Sequence, residues 1–394
     1  MKTLALTSVA LATCATVAGA HEHAAGPSPR DFLEHSYELL EQRQPEKAAP
    51  FLQLALEHYP LDVELNLLYL DVLREEGLED LALSSYRGNL ERYGEEPIIL
   101  FALGRLAGDG DEGRDYYERA LAADAGFAPA YCGLAELALR SGDVDAARAE
   151  LERAWRSGPD LWRAYALRGE LYLAEGELEK AREDFERALA SVRYAPAVRA
   201  ALAEVCYLVG DAERAREQYR NALALSDDRG EYFLGLAKAQ EALGEVDAAR
   251  LAYATAASKA YGDLALAVEA RKGAGRLAFE ARDLVEAAEH ITWAATFAPD
   301  DAEIRAYLGK LYLHVGRPAE AAAEFARATE LEPRKGDYWY LLGLSQAGAG
   351  QLDGAEGSLE RAVELLAAES AGDAVRELEV VRARLAGSEK QQEE

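Results

Sequence analysis

One small residue returns at a fixed interval along most of this chain. Ala48, Ala82, Ala147, Ala181, Ala215, Ala249, Ala287, Ala321 and Ala355 are spaced by 34 residues, with two exceptions. One gap is 65, with Gly113 in its middle slot, and one is 38. A period of this length marks a stack of supersecondary units rather than a single globular core. Two more columns keep the register. Ala55, Asn89, Ala120, Ala154, Ala188, Ala222, Ala256, Ala294, Ala328 and Ala362 form one. Three residues before each stands a large apolar residue: Leu52, Tyr86, Tyr117, Leu151, Phe185, Tyr219, Tyr253, Ile291, Phe325 and Leu359. The other column is Gly104, Ala135, Gly169, Ala203, Ala237, Gly275, Gly309 and Gly343. Gly77, Gly142, Gly176, Gly210, Gly244, Gly316 and Gly350 fall mid-unit, where a glycine ends a helix in a left-handed conformation without a Cβ penalty. Ala and Leu dominate while Val and Ile are sparse, which favours helices. Small residues let two helices of a hairpin approach closely, and the large residue three places earlier fills the gap to the next hairpin. A single unit cannot bury its apolar face alone, so stability has to come from stacking. Ten units spanning 29–369 follow, with the least regular edges early, where Ser36 and Leu70 occupy the small column.

These columns resemble the tetratricopeptide repeat. Leu308, Gly309, Tyr312, Gly316, Ala321, Phe325, Ala328 and Pro333 carry the motif most fully, and Gly169, Tyr172, Gly176, Ala181, Phe185 and Ala188 nearly as well. The resemblance implies an all-α fold: a right-handed superhelical solenoid of about ten helix–turn–helix repeats, with a concave face built by the first helix of each pair. Ala374, Val375, Leu378, Val381 and Leu385 read as a C-terminal capping helix over 370–387, followed by a polar tail over 388–394.

The N-terminus reads as an address. Lys2, an apolar stretch from Leu4 to Val17 and Ala18-Gly19-Ala20 make a signal peptide over 1–20, followed by a short leader over 21–28. The alternative takes Leu11-Ala12-Thr13-Cys14 as a lipobox with Cys14 carrying a lipid anchor. Both place the protein outside the cytoplasm, in the periplasm or at the outer-membrane periphery, and no other apolar run is long enough for a transmembrane helix in the mature chain. The net charge of −28 opposes binding to nucleic acid and favours a partner of mixed or basic charge.

The chain shows no phosphate-binding loop, dinucleotide fingerprint, nucleophile elbow or zinc-protease motif, so no enzyme activity and no cofactor is expected. His35, His58, His290 and His314 fall at different points of the repeat. Gly108 to Gly113 lacks the spacing of a calcium loop and reads as a shortened polar turn. Cys206 takes a slot held by Tyr172 and Tyr312 in other units, a core position, and Cys132 reads as an inert thiol toward the groove. Cleavage after Ala20 would place His21 and His23 behind a free amine, a nitrogen set suited to square-planar Cu(II) or Ni(II).

The residue after each small-column position should face the groove. From Tyr37, Asp71 and Arg105 the series runs through Glu136, Glu170, Glu204, Lys238, Arg276 and Lys310, three acids followed by three bases. Three residues further on lie Leu139, Leu173, Tyr207, Glu241, Phe279 and Leu313. Glu136, Glu170, Glu204, Tyr207, Lys238, Arg276, Phe279 and Lys310 are therefore the candidate partner-binding residues for an extended peptide or a helix of mixed charge. The competing reading pairs these charges with one another along a solvated face. The leading expectation is a non-catalytic protein–protein interaction scaffold or adaptor of the bacterial cell envelope. The alternatives are an N-terminal copper- or nickel-binding periplasmic protein, an accessory factor in polysaccharide secretion, and a carbohydrate binder using Trp155, Trp162, Trp293 and Trp339.

Overall fold

A computed structural model describes residues 27–108, 110–158, 161–367 and 371–393. The residues read as a signal peptide, with Cys14, His21 and His23, lie outside the described residues. Within them the chain is all helix, with 21 helices and no strand. Two compact units divide it, 1–244 and 245–394.

In the first unit α1 (Pro29–Glu41) pairs with α2 (Pro45–His58), α3 (Val63–Glu75) with α4 (Asp80–Tyr93), and α5 (Pro97–Ala107) with α6 (Asp111–Ala123). The pairs α7 (Ala128–Arg140) with α8 (Val144–Ser157), α9 (Trp162–Ala174) with α10 (Leu178–Ser191), and α11 (Pro196–Leu208) with α12 (Ala212–Leu225) follow, then α13 (Gly230–Ala242). The second unit holds α14 (Val246–Ser258), α15 (Leu264–Glu280) with α16 (Leu284–Phe297), α17 (Ala302–His314) with α18 (Pro318–Leu331), α19 (Gly336–Gly348) with α20 (Leu352–Leu365), and α21 (Ala371–Glu393). The final helix runs to Glu393, so the residues read as a polar tail continue the capping helix instead.

The irregular spacings have local causes. α15 has 17 residues where most first helices have 13, one extra turn that accounts for the gap of 38. The shortened third unit has an 11-residue α5 and a 13-residue α6. Its Gly113 replaces alanine because a Cβ there would stand 2.4 Å from the Gly108 carbonyl oxygen.

Every inter-helix turn within a repeat passes through one left-handed residue, five positions before the small column. Gly77, Gly108, Gly142, Gly176, Gly210, Gly244, Gly316 and Gly350 have φ between 62° and 87°. The same slot is filled by Arg43 at φ 59° and Arg282 at φ 63°. After Gly142 the Asp143 N–H donates to the Ala138 carbonyl at 2.9 Å, closing the last turn of α7, and the Asp143 carboxylate accepts from the Ala146 N–H at 3.0 Å, opening α8. A side chain in the left-handed region costs roughly 1–2 kcal/mol, partly offset by the backbone freedom a glycine loses. Arg282→Gly should therefore raise stability by about 0.5–1 kcal/mol in a denaturant titration, and no gain would contradict this account of the turn.

Packing explains the columns. A Cβ on Gly104 would meet the Tyr117 ring at 2.6 Å, on Gly169 the Phe185 ring at 2.7 Å, and on Gly309 the Phe325 ring at 2.9 Å. Tyrosine wedges need a second relief. Tyr117, Tyr219 and Tyr253 also press on Gly133, Gly235 and Gly273 of the following helix, where added Cβ atoms would lie 2.5, 2.1 and 2.6 Å away. Tyr86, the remaining tyrosine wedge, is followed at the same offset by Ala102, while Leu151 and Phe325 are followed by Leu167 and Leu341. The larger ring is matched by the smaller neighbour.

The first unit returns onto its own beginning. The Arg193 guanidinium donates to Glu34 at 2.7 Å and Glu41 at 2.8 Å and lies 4.5 Å over the Tyr37 ring. Tyr194 is buried in the core cluster that includes Phe32, Leu39 and Leu40. The Tyr232 hydroxyl donates to Glu75 at 3.2 Å, and α12 touches α1.

Candidate functional site

Because the first unit closes on itself, its first helices surround a lumen. The cavity there is about 330 Å³. Its polar wall comes from α3 (Asp71, Arg74, Glu75), α5 (Arg105), α7 (Glu136, Arg140) and α9 (Arg163, Glu170), with Arg229 entering from the turn before α13. Cys132, Trp162 and Tyr194 complete it.

Two carboxylates organise this wall, each shared by two guanidinium groups. Asp71 accepts from Arg105 at 3.0 Å and from Arg163. Glu136 accepts from Arg74 at 2.5 Å and from Arg140 at 2.8 Å. Burial alone would raise Glu136, but Arg74 and its hydrogen bond, with Arg105 and Arg140, hold it down at about 2. Glu170 goes the other way. Surrounding protein and the nearby Glu136 charge push it up to about 7 against the pull of Arg74 and Arg140. Its side chain still touches water in the lumen, which offsets part of that penalty. Burial likewise raises Glu75. Burial, then Asp228 and Asp227, raise Glu76 to about 7.

These shifts fix a pH profile. A carboxylate raised in the folded state binds its proton there before the unfolded chain does, so stability increases as pH falls from 8 through 7 toward 4.5. Below 4.5 the depressed Glu136 reverses the trend as it loses its ion pairs. We expect a stability maximum near pH 5. Glu170→Gln should stabilise the protein at pH 8 by about 1 kcal/mol, after allowance for screening by water in the lumen, and by nothing measurable at pH 5. Chemical denaturation at both pH values checks this, and an equal effect at both would refute it.

The structure brings only some of the expected groove residues together. Glu136 and Glu170 share the lumen wall with Asp71 and Arg105. Glu204 and Tyr207 lie on α11 and are exposed, Tyr207 by 37%, away from that cavity. Lys238 is half-buried on α13. In the second unit Arg276, Phe279 and Lys310 converge near Tyr307. The Phe279 ring centroid is 5.7 Å from that of Tyr307, the Lys310 ammonium lies 4.3 Å over the Tyr307 ring, and Arg276 pairs with Glu280 at 3.4 Å. Tyr307 and Lys310 also line a cavity of about 360 Å³ with Lys335 and Tyr338.

Sequence reasoning missed Arg74, Arg163 and Arg229. Arg74 sits in the second groove column, three residues after Asp71, and Arg163 precedes Glu170 by two helical turns on the same face. Cys206 is buried, 1% exposed. Cys132 does border the lumen, yet burial pushes its thiol up to about 12, far from a reactive thiolate. Among the described residues no group of three or more His, Cys, Asp or Glu could hold a metal ion. The tryptophans form no common platform: Arg168 covers Trp155, Arg163 covers Trp162 and Arg271 covers Trp293, while Trp339 donates to the Pro333 carbonyl.

Sequence profiles described as tetratricopeptide repeat match residues 105–171 and 278–345, with further profiles of the same description matching 163–191 and 196–221. Over those residues the chain carries tetratricopeptide repeats. No curated protein matches the sequence. Among solved structures, the chain is similar to one in the APC/C hetero-tetramer Cut9–Hcn1, at 15% identity and a TM-score of 0.59. That match covers 81% of this chain and spans only 63% of the other. YrrB, a TPR protein with an unusual peptide-binding site, matches at 20% identity and a TM-score of 0.44 over 50% of this chain and 97% of its own. Pseudomonas aeruginosa PilF matches at 18% identity and a TM-score of 0.46 over 60% and 99%. At these identities the likeness concerns the repeat fold. No described helix is long and apolar enough to cross a membrane.

Proposed function

We propose that this repeat protein is a non-catalytic scaffold that holds a segment of a partner protein, exported to the cell envelope by the N-terminal signal. The observation that carries the reading is the ledge on the second unit. Half-buried Phe279 and Lys310, held in place by the buried Tyr307 ring, form a preorganised aromatic and cationic ledge beside a cavity, while Arg276 supplies a second cation on α15. Aromatic and arginine side chains held in place cost little entropy on binding and supply most of the energy at protein interfaces. On the first unit, taken by itself, the exposed Glu204 and Tyr207 on α11 offer an acidic and aromatic contact. Lumen acids contribute less than their sequence positions promised, because Asp71 and Glu136 are engaged by arginines.

Crosslinking in native envelope extracts, comparing wild type with Phe279→Ala and Lys310→Glu, tests this reading. Recovery of one specific partner should fall at least about tenfold in both variants, as expected for loss of a central anchor. Unchanged recovery would remove the ledge as the binding surface. Mass spectrometry of the mature N-terminus tests export, with a first residue at His21 expected and an uncleaved Met1 contradicting it.

A further inference from the structure

We propose that the lumen of the first unit is a binding site for a compact multivalent oxyanion, held by the guanidinium groups of Arg74, Arg105, Arg163 and Arg229. Donor arithmetic supports it first. Each guanidinium carries five N–H groups and no acceptor. The two carboxylates that bridge the wall, Asp71 and Glu136, each already accept from two arginines. Arg163 Nε is buried without a hydrogen-bond acceptor, and so is the hydroxyl of Tyr194, a wall residue only 2% exposed, while Arg229 Nε makes no hydrogen bond and only a long ion pair with Glu231 at 3.6 Å. A buried donor left unmade costs about 1–3 kcal/mol, and two such donors around one cavity mark the place of an absent acceptor.

Charge separates an anion from a neutral filler such as water. Five arginines and four carboxylates line this wall, with Arg229 also paired to Glu231 at 3.6 Å, so the site is near neutral in a chain whose net charge is −28. Burial raises Glu75 and Glu170, which tilts the balance of the wall toward positive charge. Low-dielectric walls concentrate such a field at the cavity. Planar guanidinium forks match the spacing of oxygen pairs on phosphoryl and carboxylate groups, so oxyanions fit better than halides. Size agrees: about 330 Å³ lies within the range of small-molecule sites. Trp162, whose ring lies 4.5 Å beneath Arg163, fixes that guanidinium and supplies a fluorescent reporter at the site. This inference uses none of the residues of the proposed partner-binding ledge, so either can fail alone.

The test is calorimetric and tryptophan-fluorescence titration of the full chain with inorganic pyrophosphate and with citrate, against sodium chloride at matched ionic strength. One saturable site is expected for at least one anion, with a dissociation constant of about 100 µM or tighter. Arg163→Lys keeps the charge but loses the fork, and should weaken binding about tenfold or more. Arg229→Gln guards against a folding artefact, because this side chain is 36% exposed and not tied to either bridging carboxylate, and it should weaken binding similarly. Arg271→Gln, which covers Trp293 in the second unit, should leave affinity unchanged. Pyrophosphate binding alone would assign a phosphoryl ligand, and citrate binding alone a carboxylate. No saturable binding of either anion, unchanged affinity in Arg229→Gln, or equal weakening in Arg271→Gln would overturn the proposal.

Discussion

Replacing Asp71 with alanine should cost the protein about 3–5 kcal/mol, the largest loss expected from any single substitution in the lumen. Asp71 is 16% exposed and stands between Arg105, 9% exposed, and Arg163, 12% exposed. Removing the carboxylate leaves two guanidinium groups close together with little water to screen them. The loss measures that uncompensated charge rather than the strength of an ion pair, and the two accounts are separable. If burial of unpaired charge dominates, adding Arg105→Met and Arg163→Met to Asp71→Ala should recover most of the stability, since a buried ion cluster is often replaceable by apolar residues of similar volume. Urea titration followed by circular dichroism gives both numbers. A loss below about 1 kcal/mol for Asp71→Ala, the range of exposed ion pairs, would show that water enters the lumen freely.

Gly235→Ala should be the next most damaging change, at about 1–3 kcal/mol. One methyl group is rarely so costly in a helix, where alanine is normally the better residue by about 1 kcal/mol. Here the new Cβ would stand 2.1 Å from Tyr219 Cζ and 2.5 Å from its hydroxyl oxygen. Tyr219 is 8% exposed and wedged between its own hairpin and the next, so the ring has little room to withdraw. Gly88→Ala is the internal control: it lies within α4 with nothing within 4 Å of the added atom, and should stabilise. Tyr219→Leu should rescue Gly235→Ala, because leucine fills the wedge position at Leu52, Leu151 and Leu359. Failure of that rescue in a double-mutant cycle would mean the glycine is required for some other reason.

What could be read from the sequence follows the range of the interactions. The columns, the left-handed glycines at mid-unit and the burial of Cys206 depend on contacts within a hairpin or between neighbours, and one period fixes those. Arg43 and Arg282 hid their turns because nothing in an arginine announces a positive φ, although counting back five residues from Ala48 and Ala287 finds them. Pairing of tyrosine wedges with small residues was equally available at a constant offset of 16 residues, stretched to 20 only where α15 gains its extra turn. The lumen is different in kind. Arg74 meets Glu136 across 62 residues and Arg163 meets Asp71 across 92. Such partners depend on how tightly successive hairpins curve, a quantity that the repeat period does not contain. For that reason Glu136 looked open in sequence and is engaged by two arginines in space.

The contact that Arg193, Tyr194 and Tyr232 make with the opening helices has a consequence for modularity. An array in which each member touches only its neighbours can be shortened from an end, losing one increment at a time. Here, deleting α1 and α2 would strip Arg193 of both its carboxylates and unroof Tyr194 more than a hundred residues downstream. The leading half of this chain should therefore tolerate truncation poorly and melt in one step, a closed loop rather than a string of interchangeable beads.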